Sequence, residues 1–205
     1  MLIGAFFWLK DIHYLGYVIT REGIKPDPKK VEGIMNPGKP STTTEARALI
    51  GMIQYYRDIC PRYSHILSPL TEAASRPKVR TVLCNDAIES VFKELKLMVS
   101  TEKLLSYPYC KQPFAVHNDA SVKQLGAIII NNNEPIVFFS RIFIKPQRNY
   151  TTTEKELLAI VECLKQFHGI PFVYEINVFS YHKNIIYTTI LSEYQRVMRW
   201  KFILE

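Results

Sequence analysis

With 205 residues, 47% of them hydrophobic and 12% aromatic, the chain has room for one large domain or two small ones, and its apolar content excludes disorder as the main state. The formal net charge of +7 attracts polyanions, and it is spread along both halves of the chain instead of being held in a tail. No run approaches the ~20 apolar residues of a membrane span, and Cys60, Cys84, Cys110 and Cys163 have neither CxxC nor zinc-ligand spacing, so reduced thiols in an intracellular protein (cytoplasm or nucleus) are expected.

The apolar stretch Leu2–Leu9 lacks a basic leader and a small-residue cleavage site and reads as an edge of a sheet or a severed domain edge. Residues 12–19 are rich in β-formers, and Thr20-Arg21-Glu22-Gly23 turns the chain, which predicts a hairpin. Ile24 to Pro28 reads as an extended elbow, because proline biases its predecessor away from helix. A short helix is predicted from Pro28 to Met35. Thr42 and Glu45 have capping-box spacing and open a second helix. Its apolar stripe is Leu49, Ile50, Ile53 and Tyr56, and Pro61 is expected to stop it. Residues 62–74 predict one more helix, followed by a linker from Ser75 to Lys78. Asp86 can cap another helix with the stripe Ile88, Val91, Phe92, Leu95, Met98 and Val99.

From residue 109 the texture changes. Phe114–Asn118, Leu125–Ile130 and Ile136–Ser140 read as strands, the last two joined through asparagines that tolerate a left-handed turn. A helix is predicted at about 152–168, a fourth strand near 173–180 and a final helix near 191–204. The fold class is therefore α+β.

Two acids stand out. Asp119 closes the first of these strands, and Glu156 lies near the start of the following helix. From Glu156 the helical face continues through Ile160, Cys163, Leu164 and Phe167, so this carboxylate tips toward the sheet, whereas Glu154 belongs to a mixed face. Burying such a group alone is costly, and a divalent cation would offset the cost. Simpler readings compete: Thr151 with Glu154, and Thr153 with Glu156, both have capping-box spacing, and Asp119 suits a strand-end turn.

Several motifs in order resemble the Pol polyprotein of gypsy-type LTR retrotransposons. Tyr14-Leu15-Gly16-Tyr17-Val18-Ile19 and Gly23-Ile24-Lys25-Pro26-Asp27-Pro28 are similar to the end of a reverse-transcriptase palm. Leu49-Ile50-Gly51-Met52, Tyr55-Tyr56-Arg57 and Ser68-Pro69-Leu70-Thr71 resemble the thumb. Asn118-Asp119-Ala120-Ser121, Phe139-Ser140-Arg141 and Tyr150-Thr151-Thr152-Thr153-Glu154-Lys155-Glu156-Leu157 resemble the attached RNase H domain. The resemblance implies a palm remnant at 1–38, thumb-like helices at 39–78, a connecting helical segment at 79–108 and an RNase H-like domain at 109–205. It also implies hydrolysis of RNA in RNA–DNA hybrids by a two-metal site, with Mg²⁺ or Mn²⁺ as cofactor. Asp119 would then be the shared metal ligand and Glu156 the second. Expected partners are an RNA–DNA hybrid or other nucleic acid, and other Pol chains.

This chain departs from the family pattern. The family reads Thr-Asp-His-Lys after the fourth strand, and here the residues are Ser180-Tyr181-His182-Lys183. A phenol of pKa ~10 is a poor Mg²⁺ ligand near neutral pH. The resemblance also implies that the family's last acid and its closing strand and helix would lie after Glu205, so they are not expected within these residues. The paired aspartates of the polymerase site are absent, so polymerase activity is not expected. Asn118 replaces a threonine, and Cys84 a tryptophan. Impaired nuclease activity is the leading expectation; the alternatives are a non-catalytic nucleic-acid-binding remnant and an unselected reading frame. On the thumb, Arg47, Tyr55, Arg57 and Arg62 are candidate contacts to phosphate and sugar, in competition with ordinary packing and solvation.

Overall fold

The computed structural model describes residues 10–36, 40–75, 89–94, 97, 105–121, 123–167 and 175–180. The helix expected near 191–204, Asp86 and most of the linker after Ser75 lie outside these residues.

The chain begins with a three-stranded antiparallel meander, β1 (Ile12–Tyr14), β2 (Tyr17–Ile19) and β3 (Ile24–Pro26). The run 12–19 is thus interrupted by a tight turn, and the expected elbow at 24–26 is a strand. The turn residues Leu15 and Gly16 have φ of 47° and 78°. Positive φ at both central residues suits a hairpin turn, but leucine is a costly occupant of that region, so the sequence carries no ordinary turn signal there. Tertiary bonds hold it: the Tyr55 hydroxyl donates to the Leu15 carbonyl, and the Tyr56 hydroxyl (3.0 Å) and the Asp27 amide (2.9 Å) donate to the Gly16 carbonyl.

Helix α1 (Pro28–Met35) starts where expected. Pro28 supplies a preset φ in the first turn, and the N-cap Asp27 accepts from the Lys29 amide at 3.0 Å. Helix α2 (Thr43–Gln54) carries the reciprocal Thr42–Glu45 capping box. It ends well ahead of Pro61: residues 55–62 form turns in which Tyr56, Ile59 and Cys60 are buried. Helix α3 (Tyr63–Ala74) follows Arg62, whose φ is 55°. Ile53, Leu67 and Leu70 form the centre of a core that also takes in Val31 and Ile34 of α1, Val91 of the helical residues 89–94, and Leu105.

The second layer is a four-stranded mixed sheet in the order β6-β5-β4-β7, made of β4 (Phe114–Ala120), β5 (Gln124–Asn131), β6 (Glu134–Ile142) and β7 (Ile176–Phe179). Along β5 the burial alternates strictly, with Leu125, Ala127, Ile129 and Asn131 facing inward. Asn132 and Asn133, with φ of 53° and 63°, turn β5 into β6 as the asparagines lead one to expect. The strand pair β4–β7 is parallel and requires a crossover. Helix α4 (Thr152–Gln166), entered through a 3-10 turn at Lys145–Asn149, lies within it and packs Ile160 and Cys163 on Phe114 and Val116.

Outward-facing backbone groups join the two layers. The Phe138 amide on the free edge of β6 donates to the Asp58 carbonyl at 2.9 Å, and the Ser64 hydroxyl donates to the Ser140 carbonyl at 2.7 Å. Leu105 forms an antiparallel bridge with Ile24 at the edge of β3, and the Ser106 amide donates to the Pro135 carbonyl of β6 at 2.9 Å.

The cap of α1 makes stability sensitive to acid. A hydrogen bond from His13 (3.0 Å) is the main influence holding the Asp27 carboxyl below its usual range, and the Lys29 amide adds to it against the desolvating effect of burial. A carboxyl with a lowered folded pKa contributes stability above its unfolded value of about 4 and loses it as pH falls through the folded value. Asp27→Asn is therefore expected to flatten the acid limb of the stability curve, measured by urea denaturation from about pH 5 downward.

Candidate active site

The start of α4 decides which glutamate is available. Thr151 is the N-cap: its hydroxyl accepts from the Glu154 amide at 3.2 Å, and the Glu154 carboxylate accepts from the Thr151 amide at 2.8 Å and hydroxyl at 3.1 Å. Glu154 thus serves the reciprocal cap, although it is as buried as Glu156. The proposed Thr153–Glu156 cap does not form, because Thr153 is already inside the helix.

Glu156 is 6% exposed and turned toward the sheet. Its carboxylate oxygen Oε2 accepts from the Ser180 hydroxyl at 2.8 Å, directly after β7. Its backbone carbonyl accepts from the Asn118 side-chain amide at 3.3 Å, on β4. The neighbouring position, Asp119, lies in the same strand, paired across the ladder with Gly126. The backbone thus brings the Asp119 position, the first turns of α4 and the end of β7 to one end of the sheet. Tyr181 and His182 lie outside the described residues.

Asn118 and Ser180 are site neighbours that sequence reasoning noted only as departures from the family pattern and gave no role. Their signal was their place directly beside Asp119 and Tyr181 in strand-end motifs. Asn118 is buried, and its Oδ1 has no hydrogen-bond donor among the described residues. A carboxylate and an amide oxygen are hard donors of the kind Mg²⁺ takes, and Mg²⁺ needs only one or two carboxylates when phosphate completes its shell. The residues present fit such an ion, although no group of three His, Cys, Asp or Glu gathers among the described residues.

The thumb candidates separate by what they already hold. Arg47 donates through Nε (3.1 Å) and Nη2 (2.8 Å) to the Ala74 carbonyl and closes the end of α3. The Tyr55 hydroxyl is engaged at the Leu15 turn, and its half-exposed ring packs against Tyr17 and Tyr56. Arg57 pairs with Asp58 at 3.3 Å. Arg62 is exposed and borders a cleft of about 270 Å³ between its own turn and the sheet, where His117, Gln124, Gly126, Ile128 and Ser140 form the wall. The His117 ring stacks on Phe179 across the parallel β4–β7 pair, at 4.7 Å between centroids.

Comparison with known proteins agrees with this architecture. Residues 85–178 match the family described as the RNase H-like domain found in reverse transcriptase. The retrovirus-related Pol polyproteins from transposons gypsy and 297 of Drosophila melanogaster are 30% and 33% identical over 97% and 95% of this chain. The chain spans only about a fifth of each, 20% and 18% of their lengths. The foamy viral protease-reverse transcriptase in complex with RNA/DNA hybrid superposes on 96% of this chain and 28% of its own with a TM-score of 0.81, and at 22% identity this establishes a shared fold. No helix among the described residues is long and apolar enough to cross a membrane.

The different duties of Arg47 and Arg62 can be measured. Arg47→Ala is expected to lower stability by about 1.5–3 kcal/mol in urea denaturation, the scale of charge-assisted hydrogen bonds. Arg62→Ala is expected to stay within about 0.5 kcal/mol.

Proposed function

Because the chain is a relative of gypsy-type retrotransposon Pol polyproteins and carries an RNase H-like domain of the reverse-transcriptase kind, we propose that it binds RNA–DNA hybrids and hydrolyses their RNA strand slowly, through Asp119 and Glu156. The observation that carries this reading is the buried Glu156 carboxylate, held by Ser180 at the end of the sheet where β4 delivers Asp119. Burying a carboxylate costs free energy, and hydrogen bonds and a divalent cation offset it.

Asp119 and Glu156 would hold the ions, Mg²⁺ or Mn²⁺, which when bound supply an activated water and charge stabilisation at the leaving 3′ oxygen. The two acids stand on supported backbone, a paired strand for Asp119 and a capped helix for Glu156. Tyr181 supplies a phenol where the family pattern has a carboxylate, and this is the reason for the slow rate.

Nucleic acid as partner is supported by the basic balance of the chain and by the exposed Arg62 beside the cleft. The likeness to foamy viral enzymes solved with RNA/DNA hybrid and with dsDNA supports it as well. The working place proposed is inside the cell, in cytoplasm or nucleus, with other Pol chains as further partners. Tyr181 also favours a second reading, a module that binds hybrid and does not cut it.

Cleavage of a labelled RNA–DNA hybrid in Mg²⁺ or Mn²⁺ separates the two. Slow cleavage that Asp119→Asn abolishes is expected, with Tyr181→Asp raising the rate by about tenfold or more, the scale on which groups around a metal act. Binding without any Asp119-dependent cleavage would establish the second reading. In the same binding assay Arg62→Ala is expected to reduce the salt slope by about one counterion.

A further inference from the structure

We infer that Ser180 is a positioning residue for Glu156, fixing its carboxylate for a divalent cation. The inference rests on the reading of Glu156 as a metal ligand and assigns Ser180 a role that this reading alone does not require.

Two hydrogen bonds from neighbouring strands contribute to the hold on Glu156. Asn118 on β4 takes the backbone carbonyl of Glu156 at 3.3 Å, and Ser180 after β7 takes its carboxylate oxygen Oε2 at 2.8 Å. The strands β4 and β7 are parallel neighbours, with His117 opposite Phe179, so Asn118 and Ser180 leave adjacent strands at the same level of the sheet. One bond sets the height of the α4 backbone, and the other sets the side-chain torsions of the glutamate. A glutamate side chain loses considerable rotamer freedom when it is ordered. If Ser180 orders it within the folded protein, a cation does not have to. A hydroxyl occupies a single acceptor position, and a carboxylate offers about four, so a donor at Oε2 is compatible with a metal on the same group. Outer partners of this kind orient metal ligands and raise affinity. Ser180 is half-buried and Glu156 buried, which keeps solvent from replacing the hydroxyl at no cost.

A purely structural role, tying β7 to α4, predicts lost stability without an effect specific to metal. Threonine and valine at this position separate the two roles, since they are nearly isosteric and differ by the hydroxyl. Mn²⁺ binding to the full chain is titrated by electron paramagnetic resonance for the parent, Glu156→Gln, Ser180→Thr and Ser180→Val. Ser180→Ala is included as a second hydroxyl-free variant in case Ser180→Val does not fold by circular dichroism. Ser180→Thr is expected to bind as the parent does, and the hydroxyl-free variants about tenfold more weakly. Equal Mn²⁺ affinity in the folded Ser180→Thr and hydroxyl-free variants would overturn the positioning role while leaving the metal site standing. Mn²⁺ binding in the parent that Glu156→Gln does not weaken would overturn the metal reading itself, and the inference with it.

Discussion

A strand edge with unpaired amides and carbonyls has to be covered, and the way β6 is covered organises this molecule. Phe138 and Ser140 present their outward backbone groups to Asp58 and Ser64, on the turn that joins α2 to α3 and at the start of α3. The bond from Gln166 to the Asp58 carboxylate, at 3.1 Å, extends the same contact to the end of α4. Burial raises the pKa of Asp58, so its charge is held against desolvation, with Arg57 and Gln166 opposing that effect. The helical layer is thus fixed to one edge of the mixed sheet. The sheet end that carries Asp119 and Ser180 lies away from that edge, on β4 and beyond β7. The same docking sets Arg62 beside the cleft, because the left-handed residue immediately precedes α3.

Within the sheet, the logic of the site is one of divided labour between neighbouring acids. Glu154 closes the cap and stabilises the helix start; Glu156, half a turn later, is directed at the sheet. The capping box engages Glu154, and the packing of α4 on the sheet leaves Glu156 to meet β4 and β7. Glu154 and Glu156, two residues apart, leave the helix about 200° from one another and so lie on nearly opposite sides. The cap at Thr151 is therefore part of the arrangement of the site as much as part of its stability.

Much of this was legible from local chemistry. Alternating burial in β5, the asparagine turn, the Thr42 and Thr151 caps and Pro28 at the start of α1 each follow from short-range rules, and each is present. What escaped was held by distant partners. Leu15 lies in a turn because Tyr55 bonds its carbonyl from far along the chain, and α2 ends at Gln54 because Tyr56, Ile59 and Cys60 turn inward. The preference for Glu156 over Glu154 came from helical phase, which correctly directs Glu156 to the sheet. Phase could not show that Glu154, on the mixed face, is buried as well. Asn118 and Ser180 were visible only as departures from a motif; their hydrogen bonds join elements too far apart in sequence for any spacing rule.

The two strand-end substitutions have different physical consequences. Asn118 keeps a hydrogen-bonding side chain in a buried position where loss of the donor would leave the Glu156 carbonyl without it. Ser180 keeps a hydroxyl on a buried carboxylate, so the fold itself penalises its loss whether or not a metal binds. Positions that satisfy buried polar groups are constrained by the fold itself. Glu156 is held in place by hydrogen bonds that are also bonds of the fold, made from β4 and from the residue directly after β7.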